Sequence, residues 1–134
     1  MYNKVCLLSF IFLISSPCLS QTTEQRALSR YLSEYAANVN KDVPRVLDHE
    51  TRLDNAFTTK NLLVYNNTLL NFVAAQIDPR QLEPNIQKAV IEPICKMAKY
   101  EPMIELGVEV VYRYYGKEGV FITELSQNLA ECTN

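Results

Sequence analysis

The stretch VEVVYRYYGKEGVFITEL, residues 108–125, decides the fold of this chain. Side chains alternate in character on both sides of the run Gly-Lys-Glu-Gly at 116–119. A period of two residues on each side of a glycine-flanked turn predicts a β-hairpin. One face of its first strand would carry Val108, Val110, Tyr112 and Tyr114, and the other face Glu109, Val111, Arg113 and Tyr115.

A second hairpin is predicted upstream. Between residues 51 and 57, Leu53, Asn55 and Phe57 alternate with Arg52, Asp54 and Ala56, which predicts a strand with each set on one face. Residues 58–61, Thr-Thr-Lys-Asn, are turn-forming, and residues 62–72 are rich in β-branched, aromatic and leucine side chains. The two runs therefore predict a strand, a turn and a better buried strand.

A helix is predicted before the first hairpin. Thr22 and Gln25 have the spacing of a capping box. An apolar stripe with helical spacing follows, formed by Leu28, Tyr31, Leu32, Tyr35, Ala36 and Val39. Asn40 and Pro44 predict that this helix ends near residue 40.

A second helix is predicted between the hairpins. Asp78 and Pro79 are a favourable N-cap and first helical residue. The apolar stripe that follows consists of Ile86, Ala89, Val90, Ile94 and Met97. Pro93 predicts a kink or a break in this helix, and Gly107 predicts the cap of a short turn after Pro102.

The order helix–hairpin–helix–hairpin predicts an α+β fold. Two hairpins and two amphipathic helices bury their apolar faces economically as one antiparallel sheet with the helices packed on one face. We expect this arrangement in a single domain spanning residues 21–134.

The first twenty residues have the pattern of a signal peptide. Lys4 precedes an apolar run at 5–14, which is too short for a membrane anchor, and residues 15–17 are polar. Cys18-Leu19-Ser20 places small residues at the positions required for cleavage before Gln21. We therefore expect residues 1–20 to be removed and the protein to act in the periplasm or outside the cell.

Removal of the predicted signal changes the cysteine count. Cys6 and Cys18 lie in the predicted signal, so the mature chain keeps Cys95 and Cys132, and a pair in an oxidising compartment predicts one disulfide. The closed loop would stabilise the fold by roughly 3–4 kcal/mol. A lipoprotein with Cys18 at its N-terminus is an alternative, but Pro17 before that cysteine fits poorly.

Charge and hydropathy argue against a nucleic acid partner and against a membrane span in the mature chain. The whole chain has a net charge of −2, and removal of the signal with Lys4 makes it −3. No stripe of Lys and Arg is present, so we expect no nucleic acid partner. No apolar run after residue 20 is long enough to span a membrane.

No catalytic, cofactor-binding or metal-binding constellation emerges. The single histidine, His49, stands between Asp48 and Glu50, whose side chains point away from it on an extended segment. It is a candidate base for a small hydrolase using dispersed carboxylates, or for a Cys95 thiol nucleophile. A surface histidine and a disulfide-bonded Cys95 are the simpler interpretations.

Scattered motifs resemble those of small exported proteins of Gram-negative bacteria, some of which are described as virulence-associated. They are NKDVP (40–44), Asp48, TRL (51–53), YNNTL (65–69), Cys95, LGV (106–108), YRYY (112–115), Gly119 and the closing Glu131-Cys132. The turn at 116–119 departs slightly from the pattern. The resemblance implies an exported bacterial protein and supplies no catalytic residue.

These observations favour a non-catalytic binding module with a protein partner. An immunity or inhibitor protein acting against a secreted enzyme also fits. Tyrosine and arginine are enriched at the centres of protein interfaces, so Arg113 and Tyr115 are the predicted contact residues. We expect Tyr112 and Tyr114 to pack against the helices instead. A one-residue slip of register would exchange the two sets.

Overall fold

A computed structural model describes residues 22–132 of the chain. The predicted signal peptide, residues 1–20, lies outside the described residues. Within them the order of helices and hairpins is the predicted one, and the α+β fold is confirmed.

Helix α1, Thr23–Val39, begins at the predicted capping box. Thr22 Oγ1 accepts from the Gln25 N–H at 3.2 Å, and Gln25 Oε1 accepts from the Thr22 N–H at 3.0 Å. The stripe residues are all buried or half-buried. After the helix, the amide of Asn40 donates to and accepts from the backbone of Ala56, each at 2.7 Å. This pairing fixes the end of α1 beside a strand.

Five strands form one sheet in the order β1-β2-β3-β4-β5. They are β1 Arg45–Val46, β2 Thr51–Thr59, β3 Leu62–Leu69, β4 Glu109–Gly116 and β5 Phe121–Asn128. The predicted hairpins are β2–β3 and β4–β5. They join through a parallel β3–β4 pair, so the sheet is mostly antiparallel rather than wholly so. A parallel pair arises because the helical connection returns the chain to the end of the sheet where β3 began.

Helix α2, Pro79–Ile86, begins at Asp78, whose carboxylate accepts from the Arg80 N–H at 3.0 Å. It continues into one π-helical turn at Gln87–Ile91. That wider turn shifts the apolar stripe, so that Ile91 is buried and the predicted Ala89 is exposed.

Pro93 breaks the helical run rather than kinking it. The π turn closes with a bond from the Glu92 N–H to the Gln87 carbonyl at 2.9 Å. Pro93 has no N–H with which to continue, and only short 3-10 turns and α3, Glu101–Ile104, follow before the last hairpin. Gly107, with φ of 61°, ends α3 as predicted.

The helices pack on one face of the sheet, here called the covered face. Its buried strand residues include Leu53, Ala56, Leu63, Tyr65, Asn67, Leu69, Val110 and Tyr114, together with half-buried Tyr112. Against them pack Leu32 and Ala36 of α1, Ile86 of α2, and Met103 of α3. The opposite side of the sheet is called the open face.

A β-bulge in β2 corrects the predicted alternation. The pairing with β3 shifts between Leu53 and Asn55, which inserts one residue into β2. Leu53 therefore shares the covered face with Ala56, whereas Asn55 and Phe57 lie on the open face. The prediction that Leu53, Asn55 and Phe57 share a face is wrong, because a strict period of two cannot continue through a bulge.

The disulfide links Cys95 and Cys132, with Cα atoms 5.3 Å apart and a sequence separation of 37. Cys95 lies in the 3-10 turn Ile94–Lys96, and Cys132 follows the turn Leu129–Glu131 after β5. The bond holds the end of the chain against the segment that follows α2. Cys95 is therefore not a free nucleophile in this structure.

Candidate protein-binding face

Two rows of side chains cross the middle of the open face, because cross-strand partners share a face. The polar row consists of Asn55, Asn66, Arg113 and Glu124. The apolar row consists of Phe57, Val64 and Val111, and polar Ser126 of β5 lies at its end.

The polar row is internally hydrogen-bonded. Asn66 Nδ2 donates to Asn55 Oδ1 at 2.8 Å, and Arg113 Nε donates to Glu124 Oε2 at 2.7 Å. The bond that Arg113 donates to Glu124 raises the pKa of the Arg113 guanidinium. The row thus presents a guanidinium oriented by Glu124, and a guanidinium is a group suited to a planar acceptor.

The apolar row is shielded although no helix covers it. Val64 has 0 % exposure and Val111 5 %. The Arg113 guanidinium lies 5.6 Å from the centre of the Phe57 ring, so side chains of β2 and β4 meet above β3. Arg113 and Phe57 therefore cover this small apolar layer.

Aromatic rings flank both rows. Tyr115 and Phe121 meet edge-on with ring centres 5.8 Å apart, and the Tyr115 hydroxyl donates to Asn66 Oδ1 at 3.5 Å. Phe121 is 51 % exposed and Phe57 37 %. Aromatic rings at the periphery and an arginine at the centre give this face the composition of a protein interface.

The register places the predicted contact residues on the open face. Arg113 pairs with Asn66 and Glu124, and Tyr115 pairs with Thr68 and Phe121. Tyr114 is buried on the covered face, where Tyr112 also packs against the core. The role of Arg113 and Tyr115 in binding a partner stays a prediction.

His49 lies in the loop before β2. Its side chain is 87 % exposed, and its Nε2 is 3.7 Å from Glu50 Oε1. Asp48 accepts from the backbone N–H groups of Glu50 and Thr51, each at 2.8 Å, and the bond from Glu50 is the main cause of its lowered pKa. Asp48 therefore shapes the turn and is not aimed at His49.

Within residues 22–132, no group of three His, Cys, Asp or Glu side chains is placed to hold a metal ion. No helix in the same part of the chain is long and apolar enough to cross a membrane.

The sequence did not reveal Phe57 and Phe121 as members of this face. Phe57 was misassigned because of the bulge in β2. Phe121 reaches Tyr115 because a second irregularity, between Tyr114 and Tyr115, alters the register of the last hairpin. Only cross-strand register could have revealed either residue.

Solved structures share this fold. A "putative secreted protein" from Pseudomonas aeruginosa matches 85% of this chain and 100% of its own, with 14% identity and a TM-score of 0.72. The pilotin EpsS of the Vibrio vulnificus type 2 secretion system matches 83% of this chain and 96% of its own, with 15% identity and a TM-score of 0.64.

A third similar structure is AspS, a pilotin of the Vibrio cholerae type II secretion system. It has 12% identity and a TM-score of 0.61, over 81% of this chain and 95% of that one. The resemblance to small secreted Gram-negative proteins is therefore confirmed at the level of the fold. No protein-family profile and no curated protein matches the chain.

Proposed function

We propose that this chain is an exported, non-catalytic module that binds a protein partner in the periplasm or outside the cell. Its open face is the proposed contact surface, with Arg113 and Tyr115 at the centre. Two of the similar structures are secretion-system pilotins, which favours a role in contact with other exported proteins. The strongest support is the combination of a fixed arginine with exposed Phe57 and Phe121 around a shielded apolar layer.

The open face suits a partner that contributes a hydrogen-bond acceptor and an apolar group. Arg113 is held on one edge by Glu124, so little side-chain freedom is lost when its other edge pairs. Phe57 and Phe121 would lose solvent-exposed apolar surface on binding. Such a preorganised surface binds without the ordering cost of a flexible loop.

The test is a binding experiment with periplasmic extract of the native host. Wild-type protein should retain one stoichiometric partner that the double variant Arg113→Ala/Tyr115→Ala fails to retain. Arg30→Ala, on the exposed side of α1, is the matched control and should bind like wild type. Equal capture by the double variant, at an unchanged melting temperature, would exclude these residues as the contact.

A photo-crosslinking residue locates the contact directly. Placed at Phe121 it should give a covalent product with the partner, whereas the same residue at Arg30 should give none. The identity of the crosslinked partner separates an inhibitor, which would capture a secreted enzyme, from an accessory of a secretion assembly. His49→Ala should leave capture intact, and loss of a measured hydrolytic activity in that variant would instead support an enzyme.

A further inference from the structure

Four tyrosine hydroxyls form a continuous chain on the covered face. Tyr100 Oη lies 2.9 Å from Tyr112 Oη and donates to Tyr65 Oη at 3.2 Å. Tyr65 Oη in turn donates to Tyr35 Oη at 3.4 Å. The rings of Tyr65 and Tyr112 are stacked with centres 5.0 Å apart. The chain thus runs from the sheet to helix α1.

Counting hydrogens shows that this chain has one donor left over. Each hydroxyl carries one hydrogen, and three bonds among four hydroxyls use three of them. Because Tyr100 donates to Tyr65 and Tyr65 donates to Tyr35, Tyr112 must donate to Tyr100. The remaining hydrogen belongs to Tyr35, which is half-buried and reaches solvent. Bonds aligned in one direction polarise one another, so this end is a strengthened donor.

Two cations lie at the same side of the sheet without an acidic partner. Lys99 Nζ is 4.7 Å from the centre of the Tyr100 ring and 5.8 Å from that of Tyr65. Arg45 pairs with Leu53, whose side chain is on the covered face, so Arg45 extends from that face too. Within residues 22–132, no acidic side chain lies within 4.0 Å of either cation.

The electrostatics around Lys99 favour an added negative charge. Partial burial, and next the nearby Arg45 guanidinium, lower the pKa of Lys99. Burial also raises the pKa values of Tyr65 and Tyr100, so these hydroxyls remain protonated donors. Donors are therefore present in excess, and the charge that would balance them is not supplied by the described part of the chain.

We propose that Tyr35 at the end of the tyrosine chain, together with Arg45 and Lys99 on the same side of the sheet, forms a binding site for an oxyanion, a carboxylate or phosphate group. An oxyanion there accepts the spare Tyr35 hydrogen and neutralises two cations that otherwise repel each other. This site lies on the opposite side of the sheet from Arg113 and Tyr115 and does not depend on the proposed protein contact.

The experiment measures the acylation rate of Lys99 by mass spectrometry, using trace amounts of an N-hydroxysuccinimide ester. The probes are inorganic phosphate and, separately, acetate, with ionic strength held constant by sodium chloride. We expect a saturating protection of Lys99 of at least about threefold, because a bound oxyanion raises the fraction of protonated amine and covers it. Exposed Lys88 and Lys96 are internal references and should react at unchanged rates.

Protection by phosphate alone identifies a phosphate-bearing ligand, protection by acetate alone a carboxylate, and protection by both a general oxyanion site. The site would be refuted if Lys99 were acylated at the same rate with and without either probe. It would also be refuted if the probes slowed acylation of Lys88 as much as that of Lys99.

Variants separate a built site from nonspecific attraction to lysine. Tyr35→Phe removes one hydroxyl and keeps the ring, and Arg45→Gln removes one charge; each should weaken protection of Lys99 severalfold. Arg30→Gln is the charge-matched control and should leave the protection of Lys99 unchanged. The double variant Arg113→Ala/Tyr115→Ala should also leave this protection unchanged. Wild-type protection in both Tyr35→Phe and Arg45→Gln, at unchanged melting temperature, would overturn the proposal.

Discussion

The covered and open faces are made by alternate residues of the same strands, yet their apolar residues are shielded from solvent in different ways. On the covered face, Leu63, Tyr65 and Val110 lie under helices and contribute to one continuous core. On the open face, Val64 and Val111 are equally inaccessible but are shielded by neighbouring side chains of the sheet itself. A face shielded by its own side chains can rearrange to accept a partner. A face packed under helices cannot do so without loss of the fold.

Removal of the disulfide should have the largest effect, because it holds the chain terminus against the covered side. The double variant Cys95→Ser/Cys132→Ser should lose about 4 kcal/mol of unfolding free energy, since the unfolded chain regains the freedom of the closed loop. Urea denaturation of oxidised wild type and of the variant measures the difference. Reduced wild type is the control and should match the variant; a loss below about 1 kcal/mol would contradict the expectation.

Adjacent leucines test the two faces directly. Leu63 has 0 % exposure beneath the helices, and Leu63→Ala should cost about 3 kcal/mol because it leaves a cavity. Leu62 is half-buried on the open face, and Leu62→Ala should cost about 1 kcal/mol. Thermal unfolding of both variants gives the comparison. Equal losses would mean that the open face is as tightly packed as the covered one.

The tyrosines of the covered face predict a loss of stability at alkaline pH. Burial raises the pKa values of Tyr65, Tyr100 and Tyr114 above the ordinary value of 10.0. Above pH 10 the unfolded chain loses protons that the folded chain keeps. Stability is therefore complete below pH 10 and falls as pH rises, by about 1.4 kcal/mol per pH unit for each tyrosine that stays protonated.

Absorbance of phenolate at 295 nm follows this transition. The tyrosines of the covered face should ionise together with the loss of circular dichroism, in one cooperative step. Gradual ionisation while the fold persists would show that the covered face admits solvent.

The smallest effect is expected on the open face. Glu124→Gln breaks the charged pairing with Arg113 but leaves the strands intact, and it should change unfolding free energy by less than about 1 kcal/mol. Thermal unfolding at low and high salt measures it, with Glu34→Gln on α1 as the control. A larger loss would mean that this ion pair supports the fold rather than orienting Arg113 for a partner.

The sequence correctly predicted the structural features that depend only on residues close together in the chain. The capping box at Thr22 and Gln25, the helix start at Asp78, the end of α3 at Gly107 and both hairpins all follow from backbone chemistry within a few residues. The pairing of Cys95 with Cys132 followed from a count of two cysteines rather than from any knowledge of distance.

Local rules failed where one residue was inserted into a regular element. The bulge after Leu53 moved Phe57 to the open face, and the π turn at 87–91 exchanged Ala89 for Ile91 in the core. A bulge or a π turn inserts one residue into a regular element and shifts the residues that follow, so a single periodic pattern does not reveal it.

The sequence by itself determined the α+β composition of this protein, its two hairpins and the opposite facing of Arg113 and Tyr114, because alternation and turn chemistry act over a few residues. Only the tertiary structure decided that β3 and β4 run parallel and that Tyr35, Tyr65, Tyr100 and Tyr112 join in one hydrogen-bonded chain. The physical reason is that both depend on the path of the helical connection between the hairpins. That path is set by how α2 and α3 bury their apolar residues on one face of the sheet.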